Sequence, residues 1–159
     1  MTALAAYVLR AMVAWVPVWE HASLEPRAVT EARYAGIAED IATVAAELPV
    51  VDGDPARTGV LLAAIASYES AYAARVDDCR TRGPGWSIFQ VEGHRAAVCS
   101  SRLEAARIAA GIVGESLRTC GDLTLYTDGR CRVRPERGRL RWERARRWWD
   151  AEPFDLEAA

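Results

Sequence analysis

The stretch Asp54-Pro55-Ala56-Arg57-Thr58-Gly59-Val60-Leu61-Leu62-Ala63-Ala64-Ile65-Ala66-Ser67-Tyr68-Glu69-Ser70-Ala71-Tyr72 decides the fold. Asp followed by Pro is a helix start. The carboxylate can accept from the first free backbone N–H groups, and Pro in the first turn lacks an N–H that would have no partner there. The helix then carries Val60, Leu61, Ala64, Ile65 and Tyr68, and reads to about Tyr72. It is apolar nearly all round, which predicts a central, buried element.

Working outward, the flanks also read as helices. Ala3 to Trp15 places Leu4, Val8, Ala11 and Trp15 on one stripe, and Pro17 ends or kinks it. Thr30 opens a helix to about Leu48, with Tyr34, Ile37, Ile41, Val44 and Leu48 at helical steps. Past the central helix, Arg75 to Cys99 changes character, with Gly83-Pro84-Gly85 and Gly93, and reads as loops or short strands. Leu103 to Leu117 resumes a helix, Cys120 to Gly138 is turn-rich, and Leu140 to Asp150 is a last helix with Trp142, Trp148 and Trp149. The acidic tail from Glu152 is expected to fray. The expected fold is mostly α, a single domain over residues 1–159. It has a central buried helix and a short irregular or β insert.

Composition narrows the function. At 159 residues, 51% hydrophobic and net charge -2, the chain can bury a real core and is not a polybasic coat protein. It has no Lys, no Asn and a single Gln, Gln90, a bias that fits GC-rich coding. No transmembrane segment is evident, since Met1 to Val16 is short and carries Arg10. That stretch also lacks the basic start and small-residue cleavage site of a signal peptide, so a trimmed signal or another export route is expected. The four cysteines allow three pairings. Cys79–Cys99 and Cys120–Cys131 each close a local, turn-rich loop and imply an oxidising compartment; the alternative is four buried thiols. His21 and His94 complete no zinc spacing, and no metal or cofactor is expected.

Three segments could carry chemistry. Glu69 is the only carboxylate between Asp54 and Asp77, at the end of the most apolar helix. A carboxyl that loses hydration favours its protonated form and can act as a general acid. The plain alternative is a surface Glu without a role. Next, Gly85-Trp86-Ser87-Ile88-Phe89-Gln90 sets the single Gln after two large apolar residues. Its amide suits sugar hydroxyls and N-acetyl groups, and Trp86 or Phe89 offers a sugar an apolar face, or is core. Third, Leu123-Thr124-Leu125-Tyr126-Thr127-Asp128-Gly129 ends an apolar run in a Tyr beside a turn. That phenol could hydrogen-bond a carboxylate or substrate, or be half-buried core.

In this order, the segments Glu69-Ser70, Ser87-Ile88-Phe89-Gln90 and Tyr126-Thr127-Asp128-Gly129 resemble the lytic transglycosylase and goose-type lysozyme branch of the lysozyme-like superfamily. The resemblance covers a motif core over residues 54–131, with a helical part over 1–53 before it and a helix and tail over 132–159 after it. It implies a lysozyme-like domain that cleaves the β-1,4 bond between N-acetylmuramic acid and N-acetylglucosamine. Glu69 would protonate the glycosidic oxygen. Ser70, Ser87, Phe89, Gln90 and Tyr126 would hold the acid or the sugar. Ser87 stands at the family's usual Gly and Thr127 at its usual Asn. A hydrolase needs a second carboxylate, for which Asp77 and Asp78 are nearest in sequence, beside Arg75, Arg80 and Arg82. The resemblance leans to the single-Glu route to a 1,6-anhydro product.

Arg130 to Arg147 holds nine Arg against Glu136 and Glu143. This reads as a solvated helix face, an attraction to anionic wall polymers, or phosphate contacts to nucleic acid. The last supplies the rival from another class, an Arg-rich glycan- or nucleic-acid-binding module without catalysis. The favoured expectation is a monomeric peptidoglycan-degrading enzyme without nucleic-acid partner, a phage endolysin or virion-associated wall enzyme, with an exported bacterial enzyme second.

Overall fold

Helix α3, Pro55–Ser70, runs through the middle of the molecule with Ala56 and every residue from Thr58 to Ser67 buried. The computed structural model describes residues 1–80 and 83–154, so Arg82 and the end of the acidic tail lie outside the described residues. Asp54 caps α3 as its sequence predicts: its Oδ1 accepts from the N–H of Ala56 at 2.8 Å and of Arg57 at 3.1 Å.

Around α3 pack α1 (Ala3–Trp15), α2 (Arg27–Glu47) and α8 (Pro135–Ala151). A β-carbon at Gly59 would lie 2.9 Å from Val8 Cγ2, so α1 and α3 approach as closely as they do only because Gly59 has none. A second layer comes from α6 (Arg102–Cys120), which packs on α2, and from α7 (Thr124–Asp128), which packs on α6 and α8. The fold is mostly α: 68% of the described residues are helical and 3% are in strands.

The insert after α3 contains α4 (Ala74–Asp77), a hairpin of β1 (Gly85–Trp86) and β2 (Val91–Glu92), and α5 (Arg95–Val98). The strands pair antiparallel, Gly85 with Glu92 and Trp86 with Val91. Both disulfides expected from loop closure form, Cys79–Cys99 and Cys120–Cys131, and no cysteine is free. They fit an oxidising, extracellular compartment. No helix among the described residues is long and apolar enough to cross a membrane.

Several boundaries differ from the sequence reading. The last helix starts at Pro135 rather than Leu140, because Pro in a first turn loses no hydrogen bond and Arg134 takes the cap with a φ of 43°. Helix α2 starts at Arg27, after Pro26, and α6 runs on to Cys120. Helix α3 stops at Ser70, where Ala71 and Tyr72 turn the chain with φ of 48° and 55°. Tyr126 lies within the short helix α7, not at the end of an extended run.

Candidate active site

Three segments far apart in sequence meet at one cleft of about 670 Å3. Its lining includes Glu69 from the last turn of α3, Gly85, Phe89 and Gln90 from the hairpin, Tyr126 and Asp128 from α7, and Arg137 and Arg141 from α8. Two disulfides bracket its walls. Cys79–Cys99 encloses the hairpin, and Cys120–Cys131 encloses α7.

The end of α3 is fixed before any side chain reaches the cleft. The Tyr72 hydroxyl donates to Ala63 O at 2.8 Å, and Arg33 Nε donates to Tyr72 O at 3.0 Å. The Ser70 hydroxyl donates to Ala66 O at 2.9 Å and accepts from Tyr72 N–H at 3.1 Å. Ser70 therefore shapes the turn that ends the helix, and it does not line the cleft. Glu69 does, with its side chain 21% exposed.

Arg141 holds that carboxylate. Its Nε donates to Glu69 Oε1 at 3.1 Å, and its Nη2 contacts the same oxygen. Its Nη1 donates to Arg137 O at 2.7 Å. Beside it, Arg144 donates to the Ser67 hydroxyl at 2.7 Å and stacks over the Tyr68 ring at 4.1 Å. The arginine excess that lies far from Glu69 in sequence is thus folded onto it. It is only partly the solvated face that its charge suggests.

The hairpin loop is held under backbone strain. Ser87 and Gln90 adopt left-handed conformations, with φ of 60° and 50°. Ser87 is buried and lies outside the cleft lining; its hydroxyl accepts from Phe89 N–H at 3.3 Å. Its carbonyl accepts from Gln90 N–H at 3.1 Å and from Gln90 Nε2 at 2.9 Å. Gly85 must be glycine, since a β-carbon there would lie 2.7 Å from Gln90 O. Phe89 lines the cleft with 1% of its surface exposed, so it serves as packing more than as an open sugar platform.

Helix α7 is tied to the loop. The Tyr126 hydroxyl donates to Phe89 O at 2.5 Å, so this phenol braces the hairpin. Burial pushes its pKa well above the ordinary value; the nearby Glu69 carboxylate adds to the shift and Arg141 opposes it. The Ser116 hydroxyl accepts from Leu125 and Tyr126 N–H at 3.1 and 3.3 Å, fixing α7 on α6.

The sequence candidates for a second carboxylate fall elsewhere. Asp77 pairs with Arg102 at 3.0 Å and Asp78 with Arg80 at 3.4 Å, both outside the cleft lining. The carboxylate that sequence reasoning missed is Asp128. Its side chain is 6% exposed, with Oδ2 accepting from Thr127 Oγ1 at 2.8 Å and Oδ1 facing Arg137 at 3.5 Å and Arg134 at 3.8 Å. The missed Arg137, Arg141 and Arg144 did leave a signal: spacings of four and three put them on one helix face.

Among the described residues, no group of three or more His, Cys, Asp and Glu side chains is placed to hold a metal ion. Protein-family profiles, curated proteins and solved structures give no match to this chain.

Proposed function

We propose that this chain is a lysozyme-like, peptidoglycan-cleaving enzyme with Glu69 as its general acid. The observation that carries the reading is the convergence of Glu69, Gln90 and Tyr126 on one cleft from segments up to 57 residues apart. Of the residues singled out by their resemblance to lytic transglycosylases and goose-type lysozymes, Glu69, Phe89, Gln90 and Tyr126 line it, and Ser70 and Ser87 do not.

The chemistry is the one that the resemblance implies. Glu69 donates its proton to the glycosidic oxygen as the muramic acid C1–O bond breaks, and the N-acetylglucosamine side leaves as an alcohol. The carboxylate then takes the proton of the muramic acid C6 hydroxyl as that oxygen bonds to C1, giving a 1,6-anhydro ring without consuming water. Both Arg141 contacts fall on Oε1, which leaves Oε2 for the transfer. Gln90 supplies an amide at the wall, and Tyr126 keeps the Phe89–Gln90 loop in register through its hydrogen bond.

A hydrolytic route needs a second carboxylate free to activate water; neither Asp77 nor Asp78 lines the cleft, whereas Asp128 and Glu92 do. Both oxygens of Asp128 are engaged by Thr127 and by arginines, so a hydrolase would have to use Glu92, and it is the resemblance that favours the single-Glu route. Its disulfides suit action at the cell wall, as a phage-delivered or exported enzyme acting as a monomer.

Purified sacculi treated with the wild type and with Glu69→Gln, with the products read by mass spectrometry, test the proposal. Anhydro-muropeptides from the wild type alone are expected. Reducing-end products would make it a hydrolase. Equal activity in Glu69→Gln would remove the assignment.

A further inference from the structure

We infer that Arg137 is a specificity-determining residue of this cleft and binds an anionic substituent of the glycan, the lactyl carboxylate that muramic acid carries where no stem peptide is attached. This rests on the glycan-cleaving reading above and makes peptide-free muramic acid the preferred residue beside the acid.

Arg137 and Arg141 sit one helical turn apart on α8 and both line the cleft, but they are engaged differently. Arg141 is 11% exposed and committed to Glu69 and to Arg137 O. Arg137 is 52% exposed, and its Nη1 reaches Asp128 Oδ1 at 3.5 Å. Asp128 is nearly buried and has a second guanidinium, Arg134, at 3.8 Å. One carboxylate therefore faces two cations, and this group keeps a net positive charge.

The opposite wall has the other sign. Glu92, on β2, is exposed and lines the same cleft. An anionic group on a bound sugar is repelled from the hairpin side and drawn to the α8 side, one turn from the acid. Arg137 is oriented there by a fixed carboxylate and presents a planar fork of donors. A fork of this kind pairs with a carboxylate in a way a neutral hydroxyl or acetamide cannot match. A polymer of N-acetylglucosamine alone offers it no partner.

The test measures binding by calorimetry to the wild type, Arg137→Gln and Arg137→Lys. Two disaccharides that lack the scissile bond are compared: N-acetylglucosaminyl-β-1,4-N-acetylmuramic acid with its carboxylate free, and neutral di-N-acetylchitobiose. Glu69 and Arg141 thus stay as they are. Arg137→Gln should weaken the acidic disaccharide about tenfold, the scale of one charge-assisted hydrogen bond, and the neutral one less than about twofold. Arg137→Lys should fall between. Equal losses for both sugars, no loss for either, or no binding of the acidic sugar to the wild type overturns the inference. Binding through Arg137 with no cleavage of either sacculi or peptide-free glycan strands would keep it and remove the enzyme reading instead.

Discussion

Opening the two disulfides separately gives the most quantitative test of how this fold holds its cleft. They close loops with sequence separations of 20 for Cys79–Cys99 and 11 for Cys120–Cys131. In the chain-entropy treatment, such loops restrict the unfolded chain by about 3.3 and about 2.8 kcal/mol at 25 °C. With an unfolding entropy of about 2.1 cal/mol/K per residue over 159 residues, the Cys79→Ala/Cys99→Ala pair should lower Tm by roughly 10 °C and the Cys120→Ala/Cys131→Ala pair by roughly 8 °C. Thermal unfolding followed by circular dichroism reads both, and reduction of the wild type should approach their sum. Each loop also contains a wall of the cleft, the hairpin in one and α7 in the other. Either variant, still folded at 25 °C, should therefore degrade sacculi more slowly than the wild type. Drops in Tm below about 2 °C would refute the entropic reasoning. Undiminished activity would refute the claim that the staples hold the walls.

Two further predictions concern single residues. Ser87→Gly should stabilise the fold by up to about 1 kcal/mol, because a left-handed residue with a β-carbon costs about 1–2 kcal/mol and glycine's extra chain entropy takes back only part of the relief; a urea midpoint that falls instead would show that the Ser87–Phe89 hydrogen bond outweighs the strain. Burial raises the Asp77 carboxyl above its ordinary 3.8, with Arg102 opposing, so the folded chain binds that proton more tightly than the unfolded chain. The stability it contributes is present below pH 3.8 and lost as pH rises through the raised value, so Asp77→Asn should gain on the wild type in that direction, and a gap between the two that is constant or closes with rising pH would mean Arg102 prevails over burial.

What the sequence made legible was what local physics determines. The Asp54-Pro55 start, the all-apolar face of α3 and the two short disulfide loops each lie within a few turns of chain, and each is found as expected. The order of Glu69, Gln90 and Tyr126 carried over to one cleft because that pattern encodes a tertiary arrangement that periodicity cannot. The misses share a cause. The start of α8 was hidden because Arg134 to Arg139 has almost no apolar rhythm, so only Pro135 marked it. The Glu69–Arg141 pair spans 72 residues, and no local signal reports a contact at that distance. Ser70 was read as a polar neighbour of the acid, but at the end of a helix a hydroxyl finds backbone partners within its own turn first.

The arginine stripe on α8 shows how a charged helix is kept against an apolar neighbour. Helix α3 is buried along most of its length, yet its last turn offers polar groups to α8, the Ser67 hydroxyl and the Glu69 carboxylate, with the Tyr68 ring between them. Arg144 and Arg141 meet them in turn, one by hydrogen bond and ring stacking, the other by ion pair. Arg137, one turn further along, reaches Asp128 of α7 and lines the cleft with it. The same row of side chains thus changes from a packing device to a lining of the cleft as the helix it packs on ends. The acid lies where that change occurs. It is packed by α3 and α8 on one side, paired with Arg141, and open to the cleft on the other, so it is held in place where a substrate can reach it.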